Sequence, residues 1–366
     1  MTVRHDLRLA DGRELFYYDR DPGLDRDAPD RRADLPPTET SSEVRWNPLL
    51  RDYAVIAGHR QSRTFRPPAT LCPLCPSRGE NLTEIPAPDY EVAVFENRFP
   101  SFALKAAATV PLVDVPPFRS GPGDGRCEVV CFSSHHDDAF ADLTVDRVRT
   151  VVDAWADRTA ALGAIDSIDY VFCFENRGEE IGVTLSHPHG QIYGYPFVPP
   201  RFFTLGQSLR TYRERTGQCL QCVLLAAELA DGSRVVVESE RWVAYVPFAA
   251  RWPYEVRVVP REHVPDLPAL DDAHRDDLAE VYRDVLIRFD RLFGDTTGKR
   301  TPYIAGWQQA PVRQDRDVWH LAAEIFTIRR APALLKYLAG SESGAGVWVN
   351  DVAPEDAAGR LRSAGT

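Results

Sequence analysis

The 366-residue chain has no apolar run approaching the roughly 20 residues that a membrane-spanning helix needs. The segment Met1 to Asp30 is charged and lacks the apolar stretch of a secretory leader, so the expected location is the cytosol and no membrane partner is expected. Basic charge is in deficit: 43 Lys and Arg stand against 54 Asp and Glu, a net charge of -11. A general nucleic-acid surface needs a clustered basic field, so no nucleic-acid partner is expected. A small anionic ligand needs only a few local arginines. Cysteine is sparse, with seven residues of which four fall in two C-x-x-C pairs, Cys72/Cys75 and Cys219/Cys222. In a reducing compartment such pairs point to metal ligation more than to disulfides. Cys127, Cys131 and Cys173 lie inside apolar stretches and read as small buried hydrophobes. What remains is an ordinary globular composition, long enough for two domains or one duplicated unit.

The most informative segment is His187-Pro188-His189-Gly190-Gln191. Two imidazoles and an amide alternate, so in an extended backbone all three project from one face. The proline favours extended geometry for the residue before it. An imidazole, when neutral, is a nucleophile that needs no separate base, and its ordinary pKa of ~6.5 leaves much of it neutral near pH 7.

The chain repeats its order of parts. Cys72-x-x-Cys75 precedes the strand-like Glu128–Phe132 and then His136; Cys219-x-x-Cys222 precedes Glu255–Val259 and then His263. In both copies the strand ends four residues before the histidine. A helix follows each. Thr144 can cap one that carries Val145, Val148, Val152, Trp155, Thr159 and Leu162 at helical spacing. Asp271 or Asp272 can cap another with Leu278, Tyr282, Val285, Phe289 and Leu292. Strands return at Tyr170–Phe174 and Tyr303–Gly306, and the copies end in HPHGQIY from His187 and HLAAEIF from His320. That register aligns His187 with His320, His189 with Ala322 and Gln191 with Glu324, so one copy keeps the chemistry. Residues 1–44 read as a polar extension or poorly packed arm, 111–126 as a mobile loop, and 197–212 as the connection between halves. The expected units are 1–44, 45–205 and 206–366.

A C-x-x-C turn delivers two thiolates to one ion, and distant histidines complete a tetrahedral shell of the kind zinc favours. Cys72, Cys75, His136 and His187 make one such set. His135 is the rival for the third position, and the shared spacing favours His136. The repeat predicts an equivalent set in Cys219, Cys222, His263 and His320. Four protein ligands leave no open position, so either ion is structural, and His187 anchors the strand that presents His189.

RWNPLLRDYAVIAGHRQSR, CPLC, VFENRF, CFSSHH, FENRG and HPHGQ together resemble the galactose-1-phosphate uridylyltransferases, the transferase branch of the histidine-triad superfamily, from about Arg45 to Leu361. The resemblance implies an α+β fold of two histidine-triad-like halves, each an antiparallel sheet flanked by helices, working as a homodimer. It implies exchange of UMP between UDP-glucose and galactose 1-phosphate, in galactose metabolism, through a uridylyl group on His189, with Gln191 bonding a phosphoryl oxygen. Arg60 and Arg63 resemble the arginines that hold nucleotide phosphate. Asn97 and Phe99 resemble uracil and ribose contacts, and Arg98 stands where many relatives have aspartate. Asn176, Gly182 and Thr184 resemble residues lining the phosphate region. Lys336 and Glu342 match a sugar-binding stretch that the neighbouring subunit contributes, although Ser341 and Val349 depart from its pattern. Some members carry an iron site from three histidines and a glutamate; the matching positions here include Gln308, Ala322 and Glu324, so no iron site is expected. The competing readings are an ADP-glucose phosphorylase using phosphate as acceptor and a non-catalytic nucleotide-binding zinc scaffold.

Overall fold

The computed structural model describes residues 2–33, 35, 41–62, 67–106, 112–294 and 299–365. An amino-terminal hairpin of β1 (Val3–Arg8) and β2 (Glu14–Asp19) is followed by a second hairpin, β3 (Glu43–Asn47) and β4 (Asp52–Ile56). Then come β5 (Val92–Glu96), the short pair β6 (Asp114–Val115) and β7 (Phe118–Pro122), β8 (Arg126–Cys131), helix α1 (Val145–Gly163), β9 (Tyr170–Arg177) and β10 (His189–Tyr195). Helices α2 (Pro200–Thr216) and α3 (Leu220–Asp231) lead into β11 (Val235–Glu238), β12 (Trp242–Tyr245), β13 (Val256–Pro260), α4 (Asp272–Arg291), β14 (Tyr303–Gln308) and β15 (Ala322–Phe326). A small hairpin, β16 (Arg329–Ala331) with β17 (Leu334–Leu335), and helix α5 (Pro354–Ser363) close the chain.

Eleven of the described strands form one sheet in the order β1-β2-β5-β8-β10-β9-β14-β15-β13-β12-β11. The repeat is visible in that order. β8-β10-β9 and β13-β15-β14 are corresponding triplets, laid back to back so that β9 meets β14 antiparallel with Ala305 opposite Glu175. No helix among the described residues is long and apolar enough to cross a membrane.

The two long helices start where their caps dictate. The Thr144 hydroxyl accepts from the Arg147 N–H at 3.2 Å, and the Asp271 carboxylate accepts from the His274 N–H at 2.8 Å. Their apolar stripes pack side by side on one face of the sheet, with the Trp155 and Tyr282 rings 5.7 Å apart and Phe140 and Trp307 completing the cluster. Each such aromatic, once fully buried, contributes on the order of 1.5–3 kcal/mol. Cys127, Cys131 and Cys173 are fully buried within the sheet, as their apolar surroundings predict.

Three sequence expectations need correction. Within residues 1–44, the described part is not a loose arm: β1 and β2 extend the main sheet, and Arg26 clasps Asp19 while Arg32 reaches Glu84 at 2.9 Å. Part of the charge that made the segment look solvated is buried in such pairs. The described part of 111–126 is not structureless, because β6 and β7 turn back on each other and β7 pairs with β3 in a small four-stranded sheet. Most of 197–212 is helix, the first part of α2, with Pro200 at a position where its missing N–H costs nothing.

Candidate active site

β10 begins at His189, and its side chains alternate: His189, Gln191 and Tyr193 are half-buried on one face, while Gly190, Ile192 and Gly194 are buried on the other. His187 precedes the strand and is itself buried. The His189 Nδ1 lies 2.7 Å from the His187 carbonyl oxygen. A carbonyl only accepts, so Nδ1 carries the hydrogen and Nε2 keeps the lone pair. Burial holds the His189 pKa below its ordinary value, which favours the neutral ring.

A cleft of about 520 Å³ opens beside His189. Its walls include Asn176 at the end of β9, Thr184 and Ser186 on the loop before β10, and Lys299 and Arg300 from the second half of the chain. The loop is bent by Gly178 at φ +105° and Gly182 at φ +86°. Gly178 has a second reason to lack a side chain, since a Cβ there would stand 2.6 Å from the Pro302 Cβ. Glu175 lies on the cleft wall, buried next to Tyr303; burial raises its carboxyl to about 7.

Behind the loop, Cys72, Cys75, His136 and His187 gather with all four donor atoms within 4.8 Å of one another. The Cys75 Sγ is 3.3 Å from Nδ1 of His136 and 3.5 Å from Nδ1 of His187. Each Nε2 is held from behind: that of His187 donates to the Ser133 carbonyl at 2.8 Å, and that of His136 meets the Ser186 hydroxyl at 3.0 Å. These outer bonds fix which ring nitrogen faces the sulfurs, the arrangement expected around metal-ligating histidines. His136, not His135, belongs to the cluster. In the second half Cys219, Cys222, His263 and His320 gather within the same limit, with the Cys222 Sγ 3.3 Å from Nδ1 of His320 and Nε2 of His320 donating to the Pro260 carbonyl at 2.9 Å. Both donor sets fit a tetrahedral ion that accepts sulfur and nitrogen.

Two sequence models cover nearly the whole chain: galactose-1-phosphate uridyl transferase, N-terminal domain, over residues 33–199, and the C-terminal domain of the same family over residues 206–364. The chain belongs to the galactose-1-phosphate uridylyltransferase family. It is 48% identical over 364 residues to the galactose-1-phosphate uridylyltransferase of Streptomyces lividans, covering 97% of this chain and 96% of that protein. A solved uridylyltransferase structure superposes with a TM-score of 0.77 at 30% identity, covering 88% of this chain and 98% of that one. An ADP-glucose phosphorylase from Arabidopsis thaliana, solved with bound ADP-glucose, superposes at 0.65 with 24% identity over 88% of this chain and 98% of its own, a likeness of fold.

Among the residues matched to uridylyltransferase motifs, the single chain brings His189, Asn176 and Thr184 to one cleft, with Gly182 in its loop and Gln191 next along the strand. Others stand apart from that cleft's lining. Arg60 sits in the turn Gly58–Ser62 and bonds the Ser101 hydroxyl; Arg63 lies outside the described residues. Asn97 caps its own turn by accepting from the Phe99 N–H at 2.9 Å, and the Arg98 guanidinium lies 5.9 Å from the Phe99 ring centre. Lys336 and Glu342 form a buried pair at 2.9 Å in the carboxyl-terminal segment. Sequence reasoning missed Glu175, Lys299 and Arg300. Glu175 is in plain view in FENRG, whereas nothing in the sequence signals that Lys299 and Arg300 reach the other half's cleft.

The uridylyltransferase-like second copy is closed over. Ala322 is fully buried beneath α3 with Leu225 and Val243, Glu324 pairs with Arg201 of α2 at 2.6 Å, and Gln308 accepts from Arg257 at 2.9 Å.

Proposed function

We propose that the protein exchanges uridylyl groups between UDP-glucose and galactose 1-phosphate through a covalent intermediate on His189. The observation that carries the reading is the His189 ring, with its Nδ1 hydrogen committed to the His187 carbonyl and Nε2 left as a nucleophile beside a cleft. The Nε2 lone pair attacks the α-phosphorus; the bond to the bridging oxygen breaks, and glucose 1-phosphate departs with that electron pair. An oxygen of galactose 1-phosphate then attacks the same phosphorus, the N–P bond breaks, and the ring returns to its starting state. Neither step needs a strong acid, because the leaving group is already a phosphate. Gln191 donates an amide hydrogen bond to a non-bridging oxygen as charge builds there, and having no proton to exchange it does not activate water. Asn176 and Thr184 supply further donors from the loop bent by Gly182.

In this reading Cys72, Cys75, His136 and His187 hold one structural zinc, and Cys219, Cys222, His263 and His320 a second. Zinc at the first site would fix the loop that ends at His189 without touching substrate. Residues 45–205 form the catalytic half, 206–366 its degenerate copy and 1–44 an extension annexed to the sheet. The protein works as a homodimer in the cytosol; Arg60, Arg63, Asn97, Arg98 and Phe99 hold the nucleotide, and Lys336 and Glu342 reach the sugar from the neighbouring subunit.

The test is incubation of the full chain with UDP-glucose carrying a radiolabelled α-phosphorus, followed by a donor and acceptor matrix. Acid-labile, alkali-stable label, lost in His189→Gly and discharged by galactose 1-phosphate, is the expected result. Absence of label points to a binding scaffold, and robust phosphorolysis of ADP-glucose without uridylyl exchange points to the phosphorylase.

A further inference from the structure

A hexose 1-phosphate carries two negative charges into a cleft whose walls bear Asp137, Asp138, Glu179 and Glu180. Like charge in a confined site opposes entry, so productive binding requires a cation placed at the same wall. Three described cations line the cleft. Arg177 is unsuited: its side chain is only 14% exposed, it is tied to Asp290 and the Thr301 carbonyl, and it lies over the Tyr303 ring. Arg300 is stretched between Asp290 at 3.0 Å and Asp142 at 2.6 Å. Lys299 differs, since its side chain is 60% exposed and its ammonium is paired with Glu179, itself half exposed. A solvent-exposed pair of this kind is worth little and exchanges readily for a better anion.

The position of Glu179 adds to this. It opens the short turn Glu179–Ile181, which is flanked by Gly178 and Gly182 at positive φ and leads to Thr184. Glu180 in the same turn is held by the buried Arg329 at 2.9 Å. The second half therefore grips the catalytic loop at two adjacent carboxylates, one through a buried arginine and one through an exposed lysine.

We infer that the Lys299 ammonium, supplied by the second half of the same chain, binds the phosphate of the hexose 1-phosphate that leaves and enters at His189, exchanging Glu179 for that phosphate. The inference rests on the uridylyl-transfer reading, and the reaction gives it a purpose. When the bridging oxygen departs, charge accumulates on the phosphate of the leaving group, and a nearby ammonium stabilises that charge without needing to transfer a proton. The degenerate half thus keeps a part in catalysis although its own reactive position is Ala322.

The experiment uses the full-length protein and separates the two half-reactions. Labelling of wild type by UDP-glucose comes first; if His189 takes no label, the transfer reading fails and Lys299 is not in question. With wild type labelled, Lys299→Met is expected to raise KM for galactose 1-phosphate in discharging the label by about tenfold to a hundredfold, as loss of a charge-assisted phosphate contact does. Its affinity for UMP, which lacks the hexose phosphate, should stay within twofold of wild type. Glu179→Gln removes the competing carboxylate and should lower the same KM severalfold. An unchanged KM in Lys299→Met, or an equal loss of UMP binding, overturns the assignment. An unchanged or raised KM in Glu179→Gln overturns the exchange.

Discussion

Adding one methyl group between the nucleophile and its neighbouring amide, in Gly190→Ala, tests how rigidly the sheet holds His189. A Cβ at Gly190 would stand 2.8 Å from Cζ of Phe132 and 2.8 Å from the Phe174 carbonyl oxygen. Ordinary contact needs 3.4 Å or more, so something must yield by about 0.6 Å. Phe132 has nowhere to go, being fully buried with its ring 5.0 Å from Phe140 and 6.3 Å from Trp155. The Phe174 carbonyl belongs to β9, which is paired on both sides. The strand carrying His189 must therefore move. Overpacking of this kind costs about 1–3 kcal/mol, and misplacing a reacting group by up to ~1 Å costs on the order of 100-fold in rate. Urea denaturation should show a lower midpoint with an unchanged slope, and rapid-quench labelling by UDP-glucose should slow by one to two orders of magnitude. A variant within about 0.5 kcal/mol of wild type that labels at the wild-type rate would refute the claim that Gly190 is required by packing.

Because burial holds the His189 pKa below its ordinary value, the labelling rate should fall to half only at a pH below 6.5; a half-point at or above 6.5, the ordinary histidine value, contradicts the geometry. Glu175 is raised to about 7 by burial, so between its ordinary 4.5 and about 7 the folded state keeps a proton that the unfolded chain has released, and stability falls as pH rises through that window. Glu175→Gln should flatten that fall, gaining up to about 3 kcal/mol at pH 8, as read from melting temperature against pH; an equally steep fall in the variant excludes Glu175 as its source. Cys75→Ser and Cys222→Ser should each reduce bound zinc from two to one per chain by atomic emission, with Cys75→Ser also slowing labelling; unchanged metal content in either variant refutes ligation at that cysteine.

The duplication was legible because it is written twice in the same order, and the three-dimensional counterparts of both cysteine pairs and both terminal histidines fall together. The caps at Thr144 and Asp271 were legible for a local reason, since a short oxygen-bearing side chain before an apolar stripe has few other uses. The hairpin at the amino terminus was not, because composition counts Arg26 and Asp19 as two solvated charges when they are one buried pair. Nor was the β6–β7 hairpin, whose strands are short and whose Pro and Gly content reads as loop. Within the cleft, the residues supplied by HPHGQ and FENRG were local in sequence, whereas Lys299 and Arg300 arrive through a pairing of β9 with β14 that no nearby residue announces.

That pairing has a further consequence. Corresponding strands that meet antiparallel are related by a local two-fold rotation, so the chain is built as a symmetric pair of half-length modules that happen to share one backbone. The first half on its own, without residues 206–366, would expose the hydrogen-bonding edge of β9 over Phe174–Arg177, where β14 now pairs, and that edge would be open to another copy of the same module. Two intact nucleophiles would then flank the new seam, where the present chain, with Ala322 in the corresponding place, has one.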